Sequence, residues 1–189
     1  MFDLVTILGG AALVNNFVLV QLLGLCPFMG VSNRLATALP MGIATTFVIT
    51  ISTILTNILN NFLLIPYNIE FLRLVLFITV IASVVQLTER YIKYTSKLLH
   101  QMLGIYLPLI TSNCAILGVV LTVADLSLIQ SLAIGIGSAI GFTVVLVLFS
   151  GLRARLDEQS VPKAFRGAPI AFITVGMLAL GFLGFKGMM

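Results

Sequence analysis

The sequence predicts an all-α integral membrane protein with six transmembrane helices, arranged as two inverted repeats of three helices each. The first observations behind this prediction are the scarcity of charge and its spacing. The chain has 189 residues, of which 60% are hydrophobic and 8% are charged, whereas a soluble domain carries about 25% charged residues. The composition therefore indicates a membrane protein rather than a soluble one with an unusually large core.

Six uncharged stretches supply the spans, because a helix needs roughly 20 apolar residues to cross the ~30 Å hydrocarbon layer. They cover residues 4–33, 35–69, 74–88, 101–124, 126–152 and 167–185. The second stretch is too long for one span, and four residues predict a loop in its second half. These are Asn60, Asn61, Pro66 and Asn68. Removing the spans leaves no extramembrane domain, so we expect one transmembrane domain over residues 1–189.

The basic residues lie mostly on one side of the predicted spans. That side carries Arg34, Arg90, Lys93, Lys97, Arg153, Arg155, Lys163 and Arg166, whereas the other carries Arg73 and Lys186. Cytoplasmic loops are enriched in lysine and arginine, so this bias predicts cytoplasmic basic loops and both termini on the outer side. The basic excess is a topology signal, and we expect no nucleic-acid partner.

Short matches between the two halves of the chain indicate an internal duplication. The only cysteines begin the runs Cys26-Pro-Phe-Met-Gly-Val and Cys114-Ala-Ile-Leu-Gly-Val; Gly42-Ile recurs as Gly135-Ile, and Phe77-Ile-Thr-Val as Phe172-Ile-Thr-Val. The offsets, from 88 to 95 residues, grow along the chain, as loop insertions require. Chance matching in an apolar sequence is the alternative.

Three spans in each repeat mean that the copies, about 1–97 and 98–189, enter the membrane from opposite sides. Inverted repeats of this kind place their functional site near the midplane, on discontinuous helices. Proline removes a helical hydrogen bond, and Pro27 and Pro108 each lie near a cysteine with glycines on either side. We therefore expect helices 1 and 4 to be broken near the midplane.

The two thiols are candidate metal ligands, because cysteine thiolate suits iron–sulfur clusters, zinc or copper(I). A two-iron cluster usually takes four thiolates, so a partner would complete it. His100, the single histidine, lies in a basic loop and is not expected to be a ligand. Packing roles for Cys26 and Cys114 and a disulfide between them are the alternatives.

Amides near the cysteines are candidates for supporting such a site. Asn15, Asn16 and Gln21 lie inside the first span and either bond to other helices, support a cluster or line an ion path. Asn113 precedes Cys114 and has a side chain suited to freed backbone groups. No Asp or Glu lies well inside a span, which argues against an intramembrane carboxylate relay. No motif for catalysis or covalent flavin attachment is present.

Two long motifs carry a resemblance to a known family. Val14-Asn-Asn-Phe-Val-Leu-Val-Gln, continuing through the Cys26 run to Ser32, resembles the family of A-type subunits of the Rnf electron-transport complex. Residues 107–118, Leu-Pro-Leu-Ile-Thr-Ser-Asn-Cys-Ala-Ile-Leu-Gly, are similar to its second motif. The alternative is the related E-type subunit of the sodium-pumping NADH:quinone oxidoreductase. It matches less well, because it typically has Glu-Asn in place of Asn15-Asn16 and lacks Cys-Pro-Phe-Met-Gly.

The resemblance implies that the chain pairs with a homologous E-type subunit inserted in the opposite orientation. Each would contribute two cysteines to one intramembrane [2Fe–2S] cluster, which makes Cys26 and Cys114 the iron ligands of this chain. The chain would hold no complete active site and no attached flavin.

The wider Rnf complex implied by the resemblance also contains B-type, C-type, D-type and G-type subunits. The cluster would pass electrons between the cytoplasmic B-type subunit, which carries iron–sulfur clusters, and the flavin of the G-type subunit. The complex couples electron exchange between ferredoxin and NAD to ion translocation across a bacterial inner membrane, so both termini would be periplasmic. A small secondary transporter with inverted repeats and an assembly scaffold with inert cysteines are the rival functions.

Overall fold

The computed structural model describes residues 7–14, 16–32, 35–67, 69–95, 107–156, 161–162 and 165–184. All regular structure in these ranges is helical, as predicted. The α-helices are α1 Phe17–Gln21, α2 Leu25–Val31, α3 Leu35–Leu59, α4 Arg73–Thr95, α5 Leu107–Thr111, α6 Cys114–Val123, α7 Leu128–Arg155 and α8 Ala168–Leu183, with a short addition at Ile65–Tyr67. Turns of π-helix at Gly10–Val14 and Asn60–Leu64 and a 3-10 turn at Glu70–Leu72 complete the described elements.

Three of these helical segments are long and apolar enough to cross a membrane. They are Leu35–Tyr67, Arg73–Tyr94 and Leu128–Arg155. Two shorter apolar segments, Pro108–Val123 and Ala168–Leu183, accompany them. The first predicted span is divided among the turn Gly10–Val14, α1 and α2.

The predicted loop in the second stretch is wrong for the described residues. The chain stays helical through Tyr67, because α3 continues into the π-helical turn Asn60–Leu64 and then Ile65–Tyr67. The Ile65 N–H donates to Asn60 O, which closes the wider π turn. The Asn60 side chain is fully buried and bonds to Ala124 O and Arg73, so its polarity is satisfied without leaving the helix. Asn68 lies outside the described residues.

Helices α3 and α7 form the centre of the fold and run antiparallel. At their middle, Thr46 Oγ1 and Thr143 Oγ1 are 3.1 Å apart. Thr46 donates to Gly42 O at 2.8 Å, and Thr143 also contacts Gly42 O at 3.2 Å. Toward the end of α3, Asn57 donates to Ser131 near the start of α7 at 3.0 Å. Residue numbers rise along one helix as they fall along the other, which is the arrangement that an inverted pair of helices requires.

Glycines bring the two central helices close together, as small residues do between membrane helices. A Cβ at Gly42 would lie 2.5 Å from Thr143 Cγ2, and one at Gly135 would lie 3.0 Å from Thr53 Oγ1. Gly137 does the same for the first segment, because a Cβ there would lie 2.7 Å from Leu8 O.

The remaining helices lie around this pair in a crossed order. Helix α4 contacts α5 and α6, which follow it in the chain, while α8 contacts α1 and the turn Gly10–Val14 near the chain start. Helices α4 and α8 therefore each lie against short segments from the other half of the chain.

The close approach of α3 and α7 predicts that Gly42→Val lowers the melting temperature in detergent. The added side chain overlaps Thr143, and overpacking of a buried site costs about 1–3 kcal/mol. Gly176→Val on α8 is the matched control, because nothing lies within 4 Å of a Cβ there. Equal melting temperatures for the two variants would contradict this account of the interface.

Candidate functional site

Cys26 follows an interruption between two short helices. Helix α1 ends at Gln21 and α2 begins at Leu25, with Leu22 and Gly24 at positive φ values of 54° and 82°. Cys26 is the second residue of α2, and its side chain is exposed. The interruption lies before Pro27, which instead occupies the first turn of α2, where a missing N–H leaves no intrahelical acceptor unpaired.

Cys114 follows a similar interruption at Ser112 and Asn113, between α5 and α6. Pro108 lies in the first turn of α5, so here too the chain leaves the helix away from the proline. Asn113 is the N-cap of α6, because its Oδ1 accepts from Ala115 N at 3.0 Å. Cys114 is the first residue of α6 and is half-buried.

The two interruptions contact each other. The Gly24 N–H donates to Cys114 Sγ at 2.9 Å. This contact needs a glycine, because a Cβ at Gly24 would lie 2.9 Å from Ala115 Cβ on a backbone with positive φ. The two cysteines therefore lie on neighbouring helix starts, and both thiols are free rather than joined in a disulfide.

Asn113 brings an unpaired donor to this place. The residue is 3% exposed, and its Nδ2 is buried without a hydrogen-bond partner among the residues that the structure describes. Asn16, the N-cap of α1, offers a direct contrast, because its Oδ1 accepts from Val18 N while its Nδ2 donates to Ala12 O at 3.0 Å. An unpaired buried amide costs free energy, so the Asn113 N–H is suited to an acceptor from outside the described residues.

A cavity of about 220 Å³ opens beside Cys114. It is lined by Ile78, Ile81, Thr111, Ser112, Asn113, Cys114 and Leu117. Ile78, Ile81 and Leu117 form the apolar part of this lining, and the polar residues Thr111, Ser112 and Asn113 form the rest.

The far end of α2 is held by Arg153 from α7. Arg153 Nη1 donates to Ser32 Oγ at 2.8 Å and to Met29 O at 3.3 Å. Met29 lies in the last turn of α2, where carbonyls lack intrahelical partners and a positive charge is favourable.

The far end of α6 is held by α3 in a corresponding way. Asn60 Nδ2 donates to Ala124 O at 2.9 Å, and Asn57 Nδ2 donates to Leu126 O at 3.0 Å. Arg73 joins Asn60 to Asp125, and its hydrogen bond holds the pKa of that exposed carboxyl below its usual value. Each cysteine helix is thus held between the other interruption and a long helix.

The predicted site residues are brought together only in part. Cys114 and Asn113 are adjacent and contact the backbone just before Cys26, whereas the hydrogen bonds of Asn16 stay within its own turn. Asn15 lies outside the described residues. Across the described ranges, no three Cys, His, Asp or Glu residues are grouped closely enough to hold a metal ion.

The contributions of Asn57, Asn60 and Arg153 were not found from the sequence. Asn60 was interpreted as a loop residue and Arg153 only as a topology signal. The spacing of Asn57 and Asn60, three residues apart in an apolar stretch, was the available signal, since it places both on one face of a continued helix.

The described residues are all helical or irregular and include three membrane-length helices, as in a multi-pass membrane protein. Residues 4–189 match the family described as Rnf-Nqr subunit, membrane protein, and the chain belongs to this family.

Similar proteins align over the full chain. A protein of Glaesserella parasuis serovar 5, named as the A-type subunit of an ion-translocating oxidoreductase complex, is 54% identical over 190 residues, covering 100% of this chain and 98% of the relative. Proteins with the same name from Alkalilimnicola ehrlichii and an Azoarcus species are 55% and 54% identical with the same coverage.

The role of Arg153 predicts that Arg153→Gln speeds backbone hydrogen exchange across α2. Hydrogen bonds from a charged donor contribute about 1.5 kcal/mol or more, so exchange is expected to rise roughly tenfold. Arg155→Gln is the matched control, since it removes the same charge from the exposed last residue of α7. Equal exchange of α2 in both variants would remove Arg153 from the site.

Proposed function

We propose that this chain is the membrane electron-transfer subunit of an ion-translocating oxidoreductase complex, with Cys26 and Cys114 as half the ligands of one [2Fe–2S] cluster. The observation that carries the proposal is the hydrogen bond from Gly24 N–H to Cys114 Sγ, which joins the starts of the two cysteine helices. The full-length similarity to proteins named as the A-type subunit of such a complex supports it.

The donor set fits a shared cluster. A two-iron cluster usually takes four thiolates, and this chain has two cysteines. Cys26 is exposed, as a ligand shared with a second chain requires, whereas Cys114 is half-buried. We propose that the other two thiolates come from a homologous E-type subunit in the opposite orientation.

The backbone and side chains around the cysteines prepare the site for sulfur. The Gly24 N–H already points at one sulfur, and the buried Asn113 Nδ2 lacks an acceptor within the described chain. Hydrogen bonds to sulfur stabilise its negative charge and raise the reduction potential of a cluster. A bound cluster supplies one-electron transfer; the chain's part is to hold the two thiols, direct N–H groups at sulfur and exclude water.

Several contacts support the proposed inverted repeat. Thr46 and Thr143, which pair at the centre of α3 and α7, are 97 residues apart, and the two capping asparagines, Asn16 and Asn113, have the same separation. The cysteines are 88 residues apart, so the separation between matching positions is not constant along the chain. We propose six spans in two inverted copies, with one interruption before Cys26 in the first copy and one before Cys114 in the second.

Two further contacts, one at each end of the central pair α3 and α7, support a single topology. Arg73 and Asp125 meet at one end of the central pair, and Arg153 and Ser32 meet at the other. Loops that meet lie on the same side of the membrane, and the basic end is cytoplasmic by the positive-inside rule.

We propose a bacterial inner-membrane protein with periplasmic termini. It carries electrons between the B-type and G-type subunits of a complex that also contains C-type and D-type subunits. This transfer is coupled to ion movement in ferredoxin:NAD oxidoreduction.

The cluster proposal predicts that Cys26→Ser and Cys114→Ser each abolish the two-iron paramagnetic resonance signal of the purified complex and lower its iron and acid-labile sulfide content. Thr122→Ser on the exposed side of α6 is the control for a conservative change. An unchanged signal in either cysteine variant would defeat the assignment. A colourless wild-type protein that transports a solute alone would favour the secondary transporter.

The unpaired amide predicts that Asn113→Ser lowers the midpoint potential of the cluster in a redox titration. Serine still caps α6 with its hydroxyl oxygen, but the amide N–H is lost. Asn113→Asp should lower the potential further, because a carboxylate adds negative charge. Asn16→Ser is the control, since the Asn16 amide donates to Ala12 O. A potential that Asn113→Ser leaves unchanged would exclude the Asn113 donor from the site.

A further inference from the structure

Five polar side chains form one exposed line along α4. Thr79, Ser83, Gln86, Arg90 and Lys93 are all exposed and recur at alternating intervals of four and three residues. This spacing averages 3.5 residues, which is the period of the side of a helix that packs lengthwise against another helix. We call these five residues the polar seam.

The first three residues of the polar seam lie within a membrane-length helix. The two hydroxyls are satisfied locally, since Thr79 donates to Val75 O and Ser83 donates to Thr79 O, both at 2.8 Å. Gln86 makes no hydrogen bond within the part of the chain that the structure describes. Lipid tails offer no partner for an exposed amide, so this side chain requires protein or water beside it.

Helix α8, the matching helix of the second half, has a different outer surface. Its exposed large side chains are all apolar: Phe172, Ile173, Met177, Leu180 and Leu183. Aligning the shared Phe-Ile-Thr-Val runs places Leu178 at the position of Ser83 and Gly181 at that of Gln86. The composition of α8 suits lipid, whereas that of the polar seam suits protein.

A groove lies beside the polar seam. It has a volume of about 240 Å³ and separates α4 from Leu55 and Leu59 of α3. Such a groove receives the apolar side chains of a neighbouring helix while hydroxyls and amides pair alongside. At the end of the polar seam, Arg90 and Lys93 form no ion pair with any residue in the described ranges, so the neighbour is expected to bring negative charge.

We propose that the polar seam is the docking surface for a membrane-spanning helix of another subunit. This helix presents an amide or hydroxyl side chain to Gln86 and a carboxylate to Arg90. The inference rests on the proposed function only in that the chain works within a complex; it does not depend on the cluster.

Photocrosslinking in the intact complex tests the proposal. The purified complex is placed in nanodiscs of phosphatidylethanolamine and phosphatidylglycerol, with p-benzoylphenylalanine at position 86 or, as the control, at position 177 on α8, where Met177 is exposed. Position 86 should link to a membrane-spanning peptide of another subunit, and position 177 to lipid. Links from position 86 only to lipid, or only to a second copy of this chain, would overturn the proposal.

A substitution series gives a second readout. With p-benzoylphenylalanine moved to position 83, where Ser83 is exposed, Gln86→Leu should lower the recovery of the crosslinked partner about threefold, the size expected for one hydrogen bond between membrane helices. Gln86→Asn should retain most of it, and Met177→Leu should have no effect. Unchanged recovery in Gln86→Leu would exclude the amide contact. Iron and sulfide content, measured on the same wild-type sample, tests the cluster separately, so a crosslinked complex without iron would leave the docking surface standing.

Discussion

Backbone groups that leave a helix at membrane depth must find partners inside the protein, because lipid provides none. In the described residues, the interruptions before Cys26 and before Cys114 contact each other. Gly24 N–H is satisfied by Cys114 Sγ, and Ala115 N–H by Asn113 Oδ1. The sulfur is therefore part of the hydrogen bonding that keeps the interruptions open. In the proposed cluster site, a thiol held in this way would be positioned before the metal binds, which would reduce the reorganisation that binding requires.

The antiparallel pair α3 and α7 determines where the interruptions lie. Glycines and threonines let the two helices approach at their middle, and the outer ends of the same helices bond to the cysteine helices. Arg153 holds α2 from one end of the pair, and Asn60 holds α6 from the other. The pair α3 and α7 therefore positions both cysteine helices. It does so through hydrogen bonds to the far ends of these helices and not through contacts with the cysteines themselves.

Much of the fold class could be predicted from the sequence, because charge spacing and apolar length report directly on membrane segments. The described helices α1 and α5 end at Gln21 and Thr111, whereas the sequence pattern attributes the expected breaks to the prolines. Proline in a first turn disturbs nothing, so Pro27 and Pro108 mark the beginnings of helices. Helix α1 instead ends with Leu22 as its C-cap, which has positive φ, and Gly24 and Asn113 are the N-caps before α2 and α6. The predicted loop at Asn60 is wrong for a related reason. Asparagine is common in loops, but here the buried amide pairs with Ala124 O, a partner that lies far along the chain and that the local sequence does not reveal.

The unequal environments of the two thiols bear on how the site is shared. Cys114 receives a hydrogen bond from this chain and lies beside a spare amide donor, whereas Cys26 is exposed. If a second chain contributes a similar pair in the opposite orientation, as proposed, the shared site contains two half-buried and two exposed thiols related by a two-fold axis. Every sulfur then obtains surroundings that neither chain provides alone, so both chains are needed for one site.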